Sequence, residues 1–226
     1  MPRYVLAALL VLGALPALAR EEGQIPNYEV GLGLGQAIIL GRQADRLSDS
    51  PAVYLYWMRR YDSGMMGGIE IGQTIGSTIK GRLAAEAPQD LDRPPDGAND
   101  NVNFKSSLKS TTFWFTPQIK IGKSDEESGS SVRPYAVFGG GYYNIKNKAG
   151  TATLSGRTSG GVDVTGTKVA IRKNGDNYFG VNLGGGFLAH LFTNVELAAD
   201  IRYHYLIAGS ESRQFFFPAA RFNILF

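Results

Sequence analysis

Val195-Glu196-Leu197-Ala198-Ala199-Asp200-Ile201-Arg202-Tyr203-His204-Tyr205 is the stretch that decides the fold. Val195, Leu197, Ala199, Ile201, Tyr203 and Tyr205 occupy every second position, and Glu196, Asp200, Arg202 and His204 stand between them. A period of two describes an extended strand with one apolar and one polar face; a helix would repeat every three to four residues. The same alternation recurs on both sides of this stretch. Tyr28, Val30, Leu32 and Leu34 oppose Glu29, Gly31, Gly33 and Gly35, while Ile69 and Ile71 oppose Glu70 and Gly72. Phe113, Phe115, Ile119 and Ile121 oppose Thr112, Thr116, Gln118 and Lys120, and Phe179, Val181, Leu183 and Phe187 oppose Asn182, Gly184, Gly186 and His190. Phe222, Ile224 and Phe226 oppose Arg221 and Asn223 at the end of the chain. In the Gly-rich run around Tyr135, Val137 and Tyr143, those three are assigned to the apolar face. At 52–61 both candidate faces are apolar (Val53, Leu55, Trp57 against Tyr54, Tyr56, Met58), so the register stays open.

Eight runs result, at 27–40, 52–61, 66–78, 111–122, 134–146, 177–190, 195–207 and 215–226. Each meets the ~9–11 residues of a tilted membrane strand. The connectors at 62–65 and 191–194 are short, whereas 79–110 and 147–176 are long and polar. Short inner turns and long outer loops are expected of an up-and-down barrel with both termini on the inner side. The connector at 123–133 does not fit that rule. Inside 147–176, Thr151, Thr153, Val162, Val164, Val169 and Ile171 alternate again, so the fifth and sixth strands are expected to continue beyond the membrane as a hairpin.

Composition narrows the class. At 43% hydrophobic and 19% charged the 226-residue chain is not disordered. A net charge of +3 with scattered basic residues gives no nucleic-acid groove. The lack of cysteine excludes disulfides, thiolate zinc sites and cysteine nucleophiles. Arg3 precedes an apolar run from Tyr4 to Ala19 that contains Pro16 and ends Ala17-Leu18-Ala19, the pattern of a cleaved secretory signal. Residues 1–19 are therefore read as signal and 20–226 as one barrel domain.

Soluble and membrane barrels share the alternation and differ in which face is oily. The polar face here mixes single charges with glycines such as Gly31, Gly33, Gly72, Gly140, Gly184 and Gly186, which suits a narrow lumen better than a solvated sheet. The reading is an all-β, eight-stranded antiparallel transmembrane barrel. Two aromatic rims are expected at the lipid interfaces: Tyr28, Tyr135, Phe187 and Phe226 on the inner side, and Tyr143, Phe179, Tyr203, Tyr205 and Phe216 on the outer. The lumen is expected to close on ion pairs among Glu29, Glu70, Glu196, Asp200, Lys120, Arg202 and Arg221, with Arg59 or Arg60 as a fourth base. Pro117 and Pro218 cannot donate to a ladder and imply a bulge or rim.

Phe222-Asn223-Ile224-Leu225-Phe226, Arg133 to Tyr143 and Asp200 to His204 resemble segments of the small eight-stranded outer-membrane barrels typified by the OmpA membrane domain and OmpX. The resemblance covers 27–226. It implies location in the cell outer membrane, lipid and lipopolysaccharide as surroundings, and an assembly signal at Phe222, Ile224 and Phe226 read by the barrel-assembly machinery. It also implies that the periplasmic domain of longer relatives is missing.

The expected role is structural or adhesive, through the loops at 79–110 and 147–176, with no enzyme activity, cofactor or metal. The rival readings are a lipid A-modifying enzyme and a small narrow pore. An enzyme needs a base beside a nucleophile. The deacylase-like pattern of His followed two residues later by Ser fails at His204, where Leu206 stands; Ser210, Glu211 and Ser212 in the next loop leave only a rearranged site. Asp90, Asp92, Asp96 and Asp100 lack calcium-loop spacing, being interrupted by Pro94 and Pro95. Gly139-Gly140-Gly141 and Gly184-Gly185-Gly186 lack a following helix or phosphate-binding Lys.

Overall fold

The computed structural model describes residues 27–41, 44, 47–62, 64–82, 101–122, 132–157, 162–171, 173–192, 194–207 and 213–226. The signal at 1–19, the Asp90–Asp100 cluster and Ser210 to Ser212 lie outside them. Eleven strands form one sheet: β1 (Tyr28–Leu40), β2 (Ser50–Asp62), β3 (Met65–Thr74), β4 (Ser77–Arg82), β5 (Asn101–Gly122), β6 (Val132–Asn147), β7 (Gly150–Arg157), β8 (Lys168–Ile171), β9 (Asn174–Phe192), β10 (Val195–Ile207) and β11 (Arg213–Leu225).

The sheet closes on itself. The order β3-β2-β1-β11-β10-β9-β6-β5 returns to its start through antiparallel pairing of β3 with β5, so eight strands complete the circle. Closure removes both edges that an open sheet would leave unpaired. Adjacent strands in the chain are neighbours in the circle, which is the up-and-down order.

The remaining segments extend the barrel at the end away from the termini. β4 pairs with β5 from Ser77↔Ser110 to Arg82↔Asn103, and β7 pairs with the same upper part of β5, from Asn101↔Arg157 to Ser106↔Ala152. β7 and β8 continue the β6–β9 hairpin, as Asn147↔Asn174 is followed by Gly150↔Ile171 and Thr153↔Lys168. Strands five and six do run on as a hairpin. The connector 79–110 is correspondingly shorter than its sequence suggested, since Ile79 to Arg82 and Asn101 to Ser110 are strand.

Side-chain direction follows the alternation on most strands. Glu196, Ala198, Asp200, Arg202, His204 and Leu206 are buried, while Leu197 and Ile201 are exposed. Phe113, Phe115, Ile119 and Ile121 of β5 and Phe179, Val181, Leu183 and Phe187 of β9 lie outside. An outward surface this apolar requires a lipid solvent.

β6 turns its other face. Tyr135, Val137 and Tyr143 are buried in the interior with Arg133, and Val132, Phe138 and Tyr142 are exposed, so Tyr135 and Tyr143 belong to neither aromatic rim. Both faces of this strand are rich in apolar residues, and the cost of exposing Arg133 to lipid overrides a count of hydrophobic positions. β2 resolves in the same way: Tyr54, Tyr56 and Met58 point inward, Trp57 outward. At the inner rim Tyr28 stacks between Trp57 (5.8 Å) and Phe226 (5.7 Å).

The prolines do not create bulges. The β5–β6 pairs Phe115↔Tyr142 and Gln118↔Gly139 keep one register across Pro117, and Gly35↔Ala219 and Ile38↔Phe216 do so across Pro218. Each proline sits where the ladder lapses for two residues. The register shifts lie instead at Thr78/Lys80, Arg60/Asp62 and Val195/Glu196.

Candidate functional site

Closing eight strands leaves an interior that side chains can fill. Among the described residues, four acids and four cationic side chains stand in it: Glu29, Glu70, Glu196 and Asp200 with Lys120, Arg133, Arg202 and Arg221, all buried. Buried charges at this density require mutual pairing, because each unpaired one would carry a desolvation cost of several kcal/mol.

Nearest the termini, Glu29 of β1 accepts from Lys120 and from the Tyr56 hydroxyl, and from Asn223 Nδ2 at 2.8 Å. Arg133 of β6 pairs with Glu196 of β10 and contacts His190 Nε2 at 2.7 Å. A cavity of about 30 Å³ opens between these groups, lined by Glu29, Arg60, Lys120, Arg133 and Glu196 together with apolar residues such as Met66 and Leu188.

Mid-lumen, Asp200 accepts from Arg202 Nη2 (3.0 Å), Tyr135 Oη (2.9 Å), Tyr54 Oη (3.3 Å) and Arg221 Nη1 (3.3 Å). Arg202 also pairs with Glu70, which accepts from Trp114 Nε1 at 2.8 Å. The guanidiniums lie over rings: Arg221 is 4.4 Å from the Tyr56 centroid and Arg202 4.9 Å from that of Tyr54. Such contacts add cation–π attraction to the ion pairs.

The outer half is aromatic. His204 stacks on Phe215 at 4.3 Å, its Nδ1 meets the Tyr143 hydroxyl at 2.9 Å, and Trp114 meets Phe217 edge-on at 5.9 Å. Lumen glycines make room for these rings. Gly33 and Gly72 lie directly across from Tyr54 and Trp114, and a Cβ at either glycine would stand inside the facing ring.

No family model and no curated protein matches the sequence. Solved structures do match. A major outer membrane protein from Thermus thermophilus aligns with a TM-score of 0.50 at 11% identity, over 88% of this chain and 99% of that one. By fold, the chain is a small outer-membrane β-barrel. Neisserial surface protein A aligns over 88% of this chain and 96% of its own (TM-score 0.49, 12% identity). The N-terminal barrel domain of Pseudomonas aeruginosa OprF aligns over 89% and 100% (TM-score 0.49, 10% identity).

In this outer-membrane barrel all seven expected lumen residues, Glu29, Glu70, Lys120, Glu196, Asp200, Arg202 and Arg221, lie inside, in two connected groups. The fourth base differs. Arg59 points outward and Arg60 lines the inner mouth, whereas Arg133 holds Glu196. The charged position in β6 was the signal for Arg133, masked by the apolar assignment of Tyr135 and Val137. Tyr54 and Tyr56 were signalled by the facing glycines Gly33 and Gly31. Trp114 was signalled in the same way, by the facing Gly72. At the seam, Phe222 pairs with Leu32, Ile224 with Val30, and Phe226 exchanges backbone bonds with Tyr28.

Proposed function

We propose that the protein is a sealed, non-enzymatic barrel whose work is done at its outer surface, in a structural or adhesive role, after insertion by an assembly machinery that reads Phe222, Ile224 and Phe226. The observation that carries this reading is the length of β5. Its 22 residues are about twice the ~9–11 that cross a membrane, and the surplus builds a sheet with β4, β7 and β8 beyond the lipid-facing band. A sheet raised clear of the bilayer suits recognition. The filled lumen beneath it suits neither transport nor a substrate pocket.

The position of His204 weighs against lipid A chemistry. A catalytic base must reach the proton it removes. His204 is fully buried in the lumen, stacked on Phe215, and its Nε2 has no hydrogen-bond partner among the described residues. Mass spectrometry of lipid A from cells with and without the protein tests this directly. An unchanged acyl pattern is expected, and one that changes with expression and reverts on His204→Ala would replace the adhesive reading with an enzymatic one. The adhesive role itself is tested by replacing residues 148–173 with a short turn. Binding of expressing cells to host-cell or abiotic surfaces should fall while the barrel still assembles; undiminished binding would count against the platform.

A further inference from the structure

The projecting sheet has two unlike sides. On the side continuous with the lumen, Ser110, Ala152 and Leu154 are buried. The other side continues the lipid-facing surface of β5: Ile121, Ile119, Phe115 and Phe113 are exposed and apolar, and next along the same side come Thr111 and Lys109, with position 105 further up the strand. One strand face therefore passes from oil to cation within a few residues.

Neighbouring strands repeat the change at matching heights. Lys146 stands across from Thr111, and the Lys148 backbone N–H bonds to the Lys109 carbonyl. Lys109, Lys146 and Lys148 are all exposed. Higher up, the pairs Lys80↔Lys105, Lys105↔Thr153 and Thr153↔Lys168 place three lysine positions in one cross-strand row. Like charges placed together on a sheet destabilise it. Three described acids are close to this region: Asp49 is next to Ser48, whose backbone N–H bonds to the Thr78 carbonyl of β4, and two others stand on the β7–β9 side. Asp163 lies in the β7–β8 connection, bonded to Thr165, and Asp176 pairs with Arg213.

At ~3.3 Å per residue and a tilt near 45°, Lys109 lies about 9 Å above Phe113 and Lys105 about 19 Å above it. The first height is that of lipid headgroups, the second that of sugars carried on them. We propose that this outward side of the β4–β5–β7–β8 sheet is a lateral binding site for the phosphate groups of a phosphorylated glycolipid in the outer leaflet, with Lys109, Lys146 and Lys148 at the lower level and Lys168 at the upper. Charge complementarity and continuity with the lipid-facing band select this occupant. The inference depends on the membrane-spanning fold and is independent of the adhesive reading.

The test compares the full-length folded protein in detergent with bis-phosphorylated lipopolysaccharide and with the same material dephosphorylated, by thermophoresis at low and high salt. Binding at least tenfold tighter to the phosphorylated form, weakened by salt, is expected. Lys109→Gln/Lys146→Gln/Lys148→Gln should lose most of that preference, and Arg59→Gln, an outward charge at the opposite end, should keep it. Heat-modifiable migration verifies folding, and the comparison of two lipids on the unaltered protein needs no variant. Equal affinity for both lipids would overturn the proposal. Equal overturning force attaches to a triple variant that binds like the parent, or to preference for a soluble sulfated polysaccharide over the phosphorylated glycolipid.

Discussion

Arg133 on β6 reaches past the whole of β9 to pair with Glu196 on β10, tying together two strands that share no backbone ladder. Truncating one member leaves the other charge buried beside the His190 ring, and removing one partner of a buried pair costs about 3–5 kcal/mol. Arg133→Ala should therefore lower the urea midpoint of the refolded barrel clearly, and Glu196→Ala should do the same. Arg133→Glu combined with Glu196→Arg should recover much of the loss. Additive damage in the double exchange would show that the pair is not the coupled unit described.

Arg202 is the more consequential cation because it serves both Glu70 and Asp200. Among the described lumen residues it also packs on Tyr54 and so fills cross-section as well as balancing charge. Planar-bilayer recording of the unaltered protein should show no steady single-channel conductance. Arg202→Ala should leave two acids facing a gap, destabilise the barrel and admit water, seen as intermittent cation-selective current. A steady conductance before any substitution would make the lumen a pore, with Glu70, Asp200 and Arg202 as its selectivity groups.

Much of this arrangement was legible in the chain. Where one face carried charges and the other apolar residues, as at 195–205, period two assigned the strand and its two faces, and the glycines that share the charged face along the chain assigned that face to the lumen. Where both faces were apolar, the pattern had nothing to discriminate: Tyr135 and Tyr143 are ring-bearing residues whose hydroxyls find partners inside, at Asp200 and His204. A tyrosine reads as rim or as lumen according to what its oxygen meets, and that depends on neighbours remote in sequence. The same remoteness hid Arg133, whose acid lies 63 positions away on a strand two places around the barrel. The upper sheet was half visible, because the alternation in 147–176 marks a hairpin but does not say that β5 extends to meet it.

Glycine placement gives a third test. The Tyr54 ring lies where a side chain on Gly33 would be, and its hydroxyl bonds both oxygens of Asp200 at 3.3 Å. Gly33→Val should push the ring off its carboxylate and cost about 1–3 kcal/mol through overpacking, read as a lower thermal midpoint. Gly33→Val with Tyr54→Ala should relieve the clash and recover part of the stability, but not all, since Asp200 then keeps Arg202, Tyr135 and Arg221 as donors but loses the Tyr54 hydroxyl. No recovery at all would place the strain elsewhere than in this cross-strand pair.

Phe226 combines two roles that its position allows to be separated. Its backbone closes the seam, with Tyr28 N–H donating to the Phe226 carbonyl at 2.8 Å and Phe226 N–H to the Tyr28 carbonyl at 3.1 Å, while its ring stacks on Tyr28 at the inner rim. Deleting the residue removes all three contacts, whereas Phe226→Ala removes only the ring. If the ring serves as part of an assembly signal with Phe222 and Ile224, Phe226→Ala should refold in detergent with nearly unchanged yield and still accumulate poorly in the outer-membrane fraction of cells. If the ring serves only the seam, detergent refolding and cellular yield should fall together. Heat-modifiable barrel at normal abundance in the outer membrane after deletion of Phe226 would dispose of the signal altogether, since neither the backbone nor the ring would then be needed for assembly.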